Sequence, residues 1–316
     1  MTIERAGIRV VPKPWGSTDL RPWSTYHGGG AIGEIWFERT GAQPSDSTLL
    51  VKLLFTNEPL SIQVHPDDAF ARSIGLAHGK SEAWYVLSAT PDARVALGLK
   101  RRLTTAQLKA AIDDGSISER VQWRTVRRGD VIFVPPGAIH AIGPGLVIAE
   151  IQQRSDTTFR LFDYGRGREL HADQAVAAAS ADEAQHQAPP RKLNAARTLL
   201  VASPHFVLER FELPPGSDWE LAAAAETWLF MLDGCARIGP IDAGANEVVF
   251  LDADRTRIEV AASGVRGLVA YVGSDPTSNL LRGLGAERSD LPGRGRRQAL
   301  LQPGTVSLLR AAQARA

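Results

Sequence analysis

Apolar residues in this chain come in short runs of strand length, cut apart by glycine, proline and other turn residues. No other feature of the sequence constrains the fold as strongly. In order the runs are Gly33 to Glu38, Leu49 to Phe55, Ser61 to Val64, Glu82 to Leu87, Val95 to Leu99, Val131 to Val134 and Leu146 to Gln152. After a break come His205 to Leu213, Glu226 to Leu232, Glu247 to Leu251, Thr256 to Val260 and Gly267 to Val272. Such spacing predicts an all-β sandwich or barrel.

Two helical segments interrupt the pattern. From Thr104 to Asp114, Thr104 and Gln107 fit a capping box, and Leu108, Ala111 and Ile112 share one face. The spacing therefore predicts a short helical insertion within about residues 104–125. A second, alanine-rich stretch from Asp173 to Gln187 predicts a helix stopped by Pro189-Pro190, with Ala188 to Lys192 as a linker.

The later runs echo the earlier ones. Glu226-Thr227-Trp228-Leu229-Phe230-Met231-Leu232 follows the pattern of Glu82-Ala83-Trp84-Tyr85-Val86-Leu87, and Asn246 to Leu251 follows Gly129 to Val134. This weak duplication predicts two barrels, residues 1–188 and 189–316. The second has no counterpart of Gln63, His65 or His140, so it is expected to be a degenerate partner without metal. The tail after Asp275, rich in glycine and arginine, predicts loops and one closing strand from Gly304 to Leu309.

At 316 residues the chain is long enough for two domains. Its 36 lysines and arginines nearly balance 35 aspartates and glutamates, so charge supplies no general reason to bind nucleic acid or a membrane surface. Cys235 is the only cysteine, which excludes an intrachain disulfide and a thiolate-rich zinc knuckle and favours a reducing compartment. The first ten residues lack the apolar core of a secretory signal, and a cytoplasmic location is expected. The uncharged stretch from Val131 to Ala149 reaches membrane-spanning length but holds Pro135, Pro136, Pro144 and His140, and reads as two strands and a turn.

Chemistry concentrates in the first half. In Leu60-Ser61-Ile62-Gln63-Val64-His65-Pro66, Gln63 and His65 stand two apart in an extended run and share a strand face. Glu82 opens an apolar strand, where an inward carboxylate costs several kcal/mol unless paired or metal-bound. His140 follows the rigid turn Pro135-Pro136-Gly137. Singly, these have ordinary readings: a strand-end histidine, a solvated glutamate, a packed histidine. Together they make a plausible ligand set for one divalent ion. Lys80, two before Glu82, would share its face as proton carrier or anion contact. In the polar segment after Gln152, Asp156 and Arg160 would orient a hydroxylated substrate, guanidinium groups being suited to phosphate.

These residues together resemble the type I mannose-6-phosphate isomerases, a branch of the cupin superfamily, in its compact bacterial form. The matching elements are Gln63-Val64-His65-Pro66, Lys80-Ser81-Glu82-Ala83-Trp84-Tyr85, Pro135-Pro136-Gly137-Ala138-Ile139-His140-Ala141 and Ser155-Asp156-Thr157-Thr158-Phe159-Arg160. Lys13-Pro14-Trp15-Gly16 and Gly33-Glu34-Ile35-Trp36 also look like the family's opening elements. The resemblance implies cupin-type barrels and one zinc ion, or another divalent ion, on Gln63, His65, Glu82 and His140. It further implies a catalytic Arg160, with Lys80 and Asp156 lining the site. The implied reaction interconverts mannose 6-phosphate and fructose 6-phosphate through a cis-enediol, in a monomer or homodimer. The family's phosphate contacts have no residue-by-residue match in this sequence. Three alternatives stay open: a cupin isomerase acting on an unphosphorylated mannose-type sugar, a metal-dependent cupin oxygenase with Fe(II) on two His and a Glu, and a sugar-binding protein without catalysis.

Overall fold

A computed structural model describes residues 2–41, 47–183 and 187–285. A six-stranded antiparallel sheet runs in the order Gly7–Ser17, Ile32–Glu38, Leu49–Thr56, Leu146–Gln153, Glu82–Ala89, Val131–Val134. A five-stranded sheet runs Phe159–Phe162, Ile62–Val64, His140–Ile142, Arg94–Leu99, Val121–Thr125. Their facing sides form the first barrel: Leu54, Trp84, Val86, Ile132 and Ile148 of one sheet pack with Val95, Leu97 and Ile142 of the other.

The strand Leu49–Thr56 is buried at every position because both faces of its sheet are covered. Side chains alternate between faces. Leu49, Val51, Leu53 and Phe55 enter a cluster with Trp228, Phe230 and Phe250 of the later sheet, whereas Leu54 faces the first barrel. The register sets Trp36, Lys52, Glu150, Trp84 and Ile132 opposite one another in a single row across five strands. Directly paired residues project from one face, so this row carries a lysine and a glutamate into the barrel.

The later strands form a ten-stranded sheet around a second core containing Val207, Phe211, Leu229, Val249 and Val269. The N-terminal strand Thr2–Arg5 pairs with Val248–Asp252 in this sheet. Two predicted runs, Thr256 to Val260 and Gly267 to Val272, lie within one bent 19-residue strand, Asp254–Val272. It bends where the pairing with Thr227–Ile238 slips a register on either side of Gly234. Gly234 has φ 75°, and a Cβ there would lie 2.0 Å from the Gly264 carbonyl oxygen, so the crossing requires glycine.

Other expectations are corrected in detail. The capping box on Thr104 and Gln107 is present, and Leu108, Ala111 and Ile112 of the helix Thr105–Asp113 are buried. The predicted insertion ends in a strand, however, because Val121–Thr125 pairs with Arg94–Leu99. The alanine-rich helix covers only Ala172–Ala178. Beyond it, Ser180 N–H donates to the Gly137 carbonyl, while the Ala181 and Asp182 carbonyls accept from Leu103 and Leu99. Bonds to the barrel thus replace helical ones well before the prolines. In the expected linker, Arg191–Lys192 pairs as a short strand with Thr198 and Leu199. The stretch from Val131 to Ala149 contributes to three strands rather than two. The edge strand Gly7–Ser17 escapes the periodicity because Pro12 and Pro14 interrupt it, and Pro12 sits at a register shift. The strand expected from Gly304 to Leu309 lies outside the described residues. No helix among the described residues is long and apolar enough to cross a membrane.

Candidate active site

In the five-stranded sheet, Gln63 pairs in register with His140 on one side and Arg160 on the other. All three therefore project from the same face. His65 lies just past the end of the Gln63 strand, and Glu82 opens a strand of the facing sheet. The turn before His140 is locked onto the other histidine segment: Gly137, at φ 81°, donates its N–H to the His65 carbonyl at 2.8 Å.

The imidazoles are oriented by carbonyl groups. His65 Nδ1 lies 2.8 Å from the Thr157 carbonyl and His140 Nδ1 lies 2.9 Å from that of Ala138. A carbonyl only accepts, so each ring carries its proton on Nδ1 and offers an Nε2 lone pair. Burial, with the Lys80 charge, holds His65 well below the usual histidine range. Burial likewise lowers His140 to about 4, overriding its Ala138 hydrogen bond. Both rings are neutral at physiological pH.

Ligand-type atoms of His65, Glu82 and His140 all lie within 4.8 Å of one another, the only such group among the described residues. Glu82 Oε2 is 3.5 Å from His65 Nε2, and Oε1 is 3.3 Å from His140 Nε2. Gln63 Nε2 is 3.4 Å from His65 Nε2 and 3.2 Å from His140 Nε2. Ligands about 2.05 Å from a tetrahedral ion stand about 3.3 Å apart, so these spacings fit a divalent ion at the centre. Glu82 is buried; its Oε2 is ion-paired with Lys80, and its Oε1 has no hydrogen-bond partner. A buried carboxylate with an unsatisfied oxygen is itself suited to a cation. The Gln63 amide turns Nε2 towards the imidazoles while Oε1 accepts from Ser61 Oγ at 3.0 Å. A half-turn exchanges the two ends, aiming Oε1 at the cluster and letting Nε2 donate to the hydroxyl.

Lys80 Nζ stands 2.7 Å from Glu82 Oε2 and 3.1 Å from His65 Nε2. Burial opposes its charge, but Glu82 and Glu150 outweigh that and raise its pKa above the ordinary lysine value. It is a fixed ammonium. The cluster opens into a cleft of about 580 Å³, open mouth included, which Asp156 and Arg160 also line.

Sequence reasoning missed part of this lining. Lys52, 2% exposed, lies 3.8 Å from Glu34, 3.6 Å from Glu150 and 3.7 Å from Asp156. Lys13 is 3.1 Å from Glu34. The Trp36 and Trp84 indoles donate to Glu34 and Glu150 at 2.5 and 3.2 Å. Burial and the neighbouring Glu82 raise the Glu150 pKa above the usual carboxylate range. The available signal was a lone charge inside an apolar strand: lysine in Leu49-Leu50-Val51-Lys52-Leu53-Leu54-Phe55, glutamate in Leu146-Val147-Ile148-Ala149-Glu150-Ile151. Arg168 also reaches the cleft, from a loop that carries no periodic pattern.

No family model matches the chain. It is 35% identical over 173 residues to a mannose-6-phosphate isomerase of Streptococcus mutans, covering 52% of this chain and 54% of the relative. It is 38% identical over 135 residues to one from Bacillus subtilis, covering 40% and 42%. The chain is similar in sequence to mannose-6-phosphate isomerases over part of its length. It spans about half the length of the curated relatives it matches. Among solved structures, mannose 6-phosphate isomerase from Bacillus subtilis superposes with a TM-score of 0.73 at 23% identity, covering 85% of this chain and 99% of that one. A mutant phosphomannose isomerase from Salmonella typhimurium superposes at 0.66 and 14% identity, covering 86% and 100%. The all-β, two-barrel cupin architecture is thus the fold of these isomerases.

Proposed function

We propose that this chain is an aldose–ketose isomerase that interconverts mannose 6-phosphate and fructose 6-phosphate through a cis-enediol. One zinc ion per chain is held by Gln63, His65, Glu82 and His140. The observation that carries the reading is the buried cluster of two neutral imidazoles and a carboxylate at tetrahedral spacing, opening into a cleft lined by cations and carboxylates. Relatives named for this reaction support it.

A bound divalent ion would supply Lewis acidity, polarising the C1 and C2 oxygens of the open-chain sugar. The chain supplies the rest. Proton transfer between C2 and C1 needs a group able both to take and to return a proton, and a positioned one contributes about 10²- to 10⁴-fold. Glu150 suits this, because its raised pKa brings a carboxylate towards the operating pH. Lys80, kept charged by Glu82 and Glu150, offsets the negative charge that develops on the enediolate. Arg160 adds a second positive charge on the face it shares with Gln63 and His140. Asp156, at the more exposed rim beside Lys52, accepts from sugar hydroxyls and assists ring opening. Nitrogen and oxygen ligands at tetrahedral spacing suit redox-inactive zinc, and the reaction requires no change of oxidation state. In this reading residues 1–188 carry the chemistry, residues 189–316 support them, and the enzyme works in the cytoplasm as a monomer or homodimer.

The test is turnover of mannose 6-phosphate against free mannose by purified protein, before and after chelation and after zinc is restored. Chelator-sensitive, zinc-restored activity on the ester is expected. Activity on free mannose alone would replace the substrate, and inactivity on both sugars with metal bound would refute the isomerase assignment.

A further inference from the structure

The two sheets of the first barrel each carry part of the proposed ion site. Gln63, His65 and His140 belong to the five-stranded sheet or the turn that continues it, whereas Glu82 opens a strand of the six-stranded sheet. Ladder pairing fixes spacing within one sheet only. The distance from Glu82 to the histidines must therefore be set by contacts that cross from one sheet to the other.

Such contacts gather on the segment entering Glu82, where three consecutive backbone N–H groups are held by three different acceptors. Gly79 N–H donates to Asp68 Oδ1 at 2.8 Å, Lys80 N–H to the Pro66 carbonyl at 2.9 Å, and Ser81 N–H to Gln153 Oε1 at 2.9 Å. Gln153 ends the strand that pairs with Glu82; it donates its backbone N–H to the Ser81 carbonyl at 3.1 Å and its Nε2–H to Asp68 Oδ1 at 3.1 Å. One Asp68 oxygen thus accepts from both the Gly79 segment and the neighbouring strand. Asp68 follows His65, Pro66 and Asp67 in the chain and opens the short helix Asp68–Ser73. The approach is close: a Cβ on Gly79 would stand 2.6 Å from the Pro66 carbonyl oxygen and 2.7 Å from the Asp68 nitrogen, so the contact requires glycine. Lys80, Ser81, Glu82 and Gln153 are all buried. Burial works to raise the Asp68 pKa, but the bonds from Gly79 and Gln153 outweigh it and hold the carboxyl below its ordinary value. An ionised acceptor strengthens both bonds.

We propose that Asp68 and Gln153 brace the segment from Gly79 to Glu82 across the two sheets, positioning Glu82 and Lys80 against His65 and so giving the ion site its shape. Neither lines the cleft, and both act through the residues they hold. The brace deepens the metal-dependent isomerase reading and rests on it. Outer partners that orient ligands in this way contribute about 10- to 100-fold to metal affinity or activity.

The experiment compares the full chain with Asp68→Ala, Asp68→Asn, Gln153→Glu and, as a control at the far end of the same helix, Ser73→Ala. Zinc affinity, read by competition with a chromophoric chelator, falls about 10- to 100-fold in Asp68→Ala. It is largely restored in Asp68→Asn, whose amide oxygen still accepts. Gln153→Glu keeps the oxygen that faces Ser81 but sets a second carboxylate against Asp68, and affinity falls as far as in Asp68→Ala. At saturating zinc, kcat for mannose 6-phosphate falls about tenfold in Asp68→Ala while KM stays within about threefold, because the brace touches no substrate. Ser73→Ala matches wild type in every reading. If Asp68→Ala fails to fold by circular dichroism, Gln153→Glu carries the test. Wild-type zinc affinity and kcat in a folded Asp68→Ala or Gln153→Glu would overturn the brace and leave the isomerase standing. An equal loss in Ser73→Ala would also overturn it, by reducing the effect to a general loosening of the helix. Zinc affinity that depends on Asp68, in a protein that turns over neither sugar, would support the brace and remove the isomerase reading.

Discussion

Glu226 stands where the sequence echo places a counterpart of Glu82, yet it is engaged in holding the two halves together. Its carboxylate, 7% exposed, accepts from Thr48 N–H at 2.5 Å, Leu49 N–H at 2.8 Å and Trp228 Nε1–H at 2.8 Å. Glu226→Ala would orphan three donors, two of them at the start of the strand Leu49–Thr56, Thr48 just before it and Leu49 its first residue. An orphaned buried donor costs about 1–3 kcal/mol. Removing a charge that had to be desolvated offsets part of that, and water reaches the Thr48 end, so a net loss of about 3–5 kcal/mol is expected. Glu226→Gln keeps one acceptor oxygen and should lose about 1–2 kcal/mol. Urea unfolding followed by tryptophan fluorescence reads both values as midpoint shifts at constant slope. Glu119→Ala, on an exposed side chain, is the control and should stay within about 0.5 kcal/mol of wild type. Glu226→Ala unfolding within that same margin would refute the clamp.

Three further outcomes are expected. His140→Ala should bind less than a tenth of the wild-type metal by elemental analysis and lose turnover; full activity in a verified metal-free variant would sink the ligand assignment. Arg160→Ala should keep its metal while kcat falls about 10²- to 10³-fold, and an unchanged kcat would remove Arg160 from the chemistry. The metal-free protein should lose stability in acid: His140 is neutral when folded, with a pKa near 4 against about 6.5 unfolded, so its contribution is complete above about pH 6.5 and is lost as pH falls through 4. Between pH 7 and 5 that amounts to about 2 kcal/mol. Glu150, its pKa raised by burial, acts in the opposite sense over this range. The measurement is therefore the difference in pH slope between wild type and His140→Gln in urea titrations, and equal slopes would refute it.

Local pattern carried much of this molecule. Strand-length apolar runs set the fold class, the capping box set the start of the helix Thr105–Asp113, and the echo between Glu82 and Glu226 exposed the second barrel. The two-residue spacing of Gln63 and His65, with Glu82 and His140, marked the cluster before any geometry was known. These are short-range properties: a side chain's face follows from the pleat, and a cap from residues three apart. Tertiary structure alone decided the rest. It turned Lys52 and Glu150 into the cleft, paired Thr2–Arg5 with Val248–Asp252, ended the alanine-rich helix at Ala178, and gave Glu226 to a clamp while Glu82 faces the histidines. Alternation says that Lys52 and Leu54 share a face but not which face meets the barrel, and a buried charge is tolerable only where distant strands bring its partners. That information resides in the pairing of strands far apart in the chain, which no local pattern encodes.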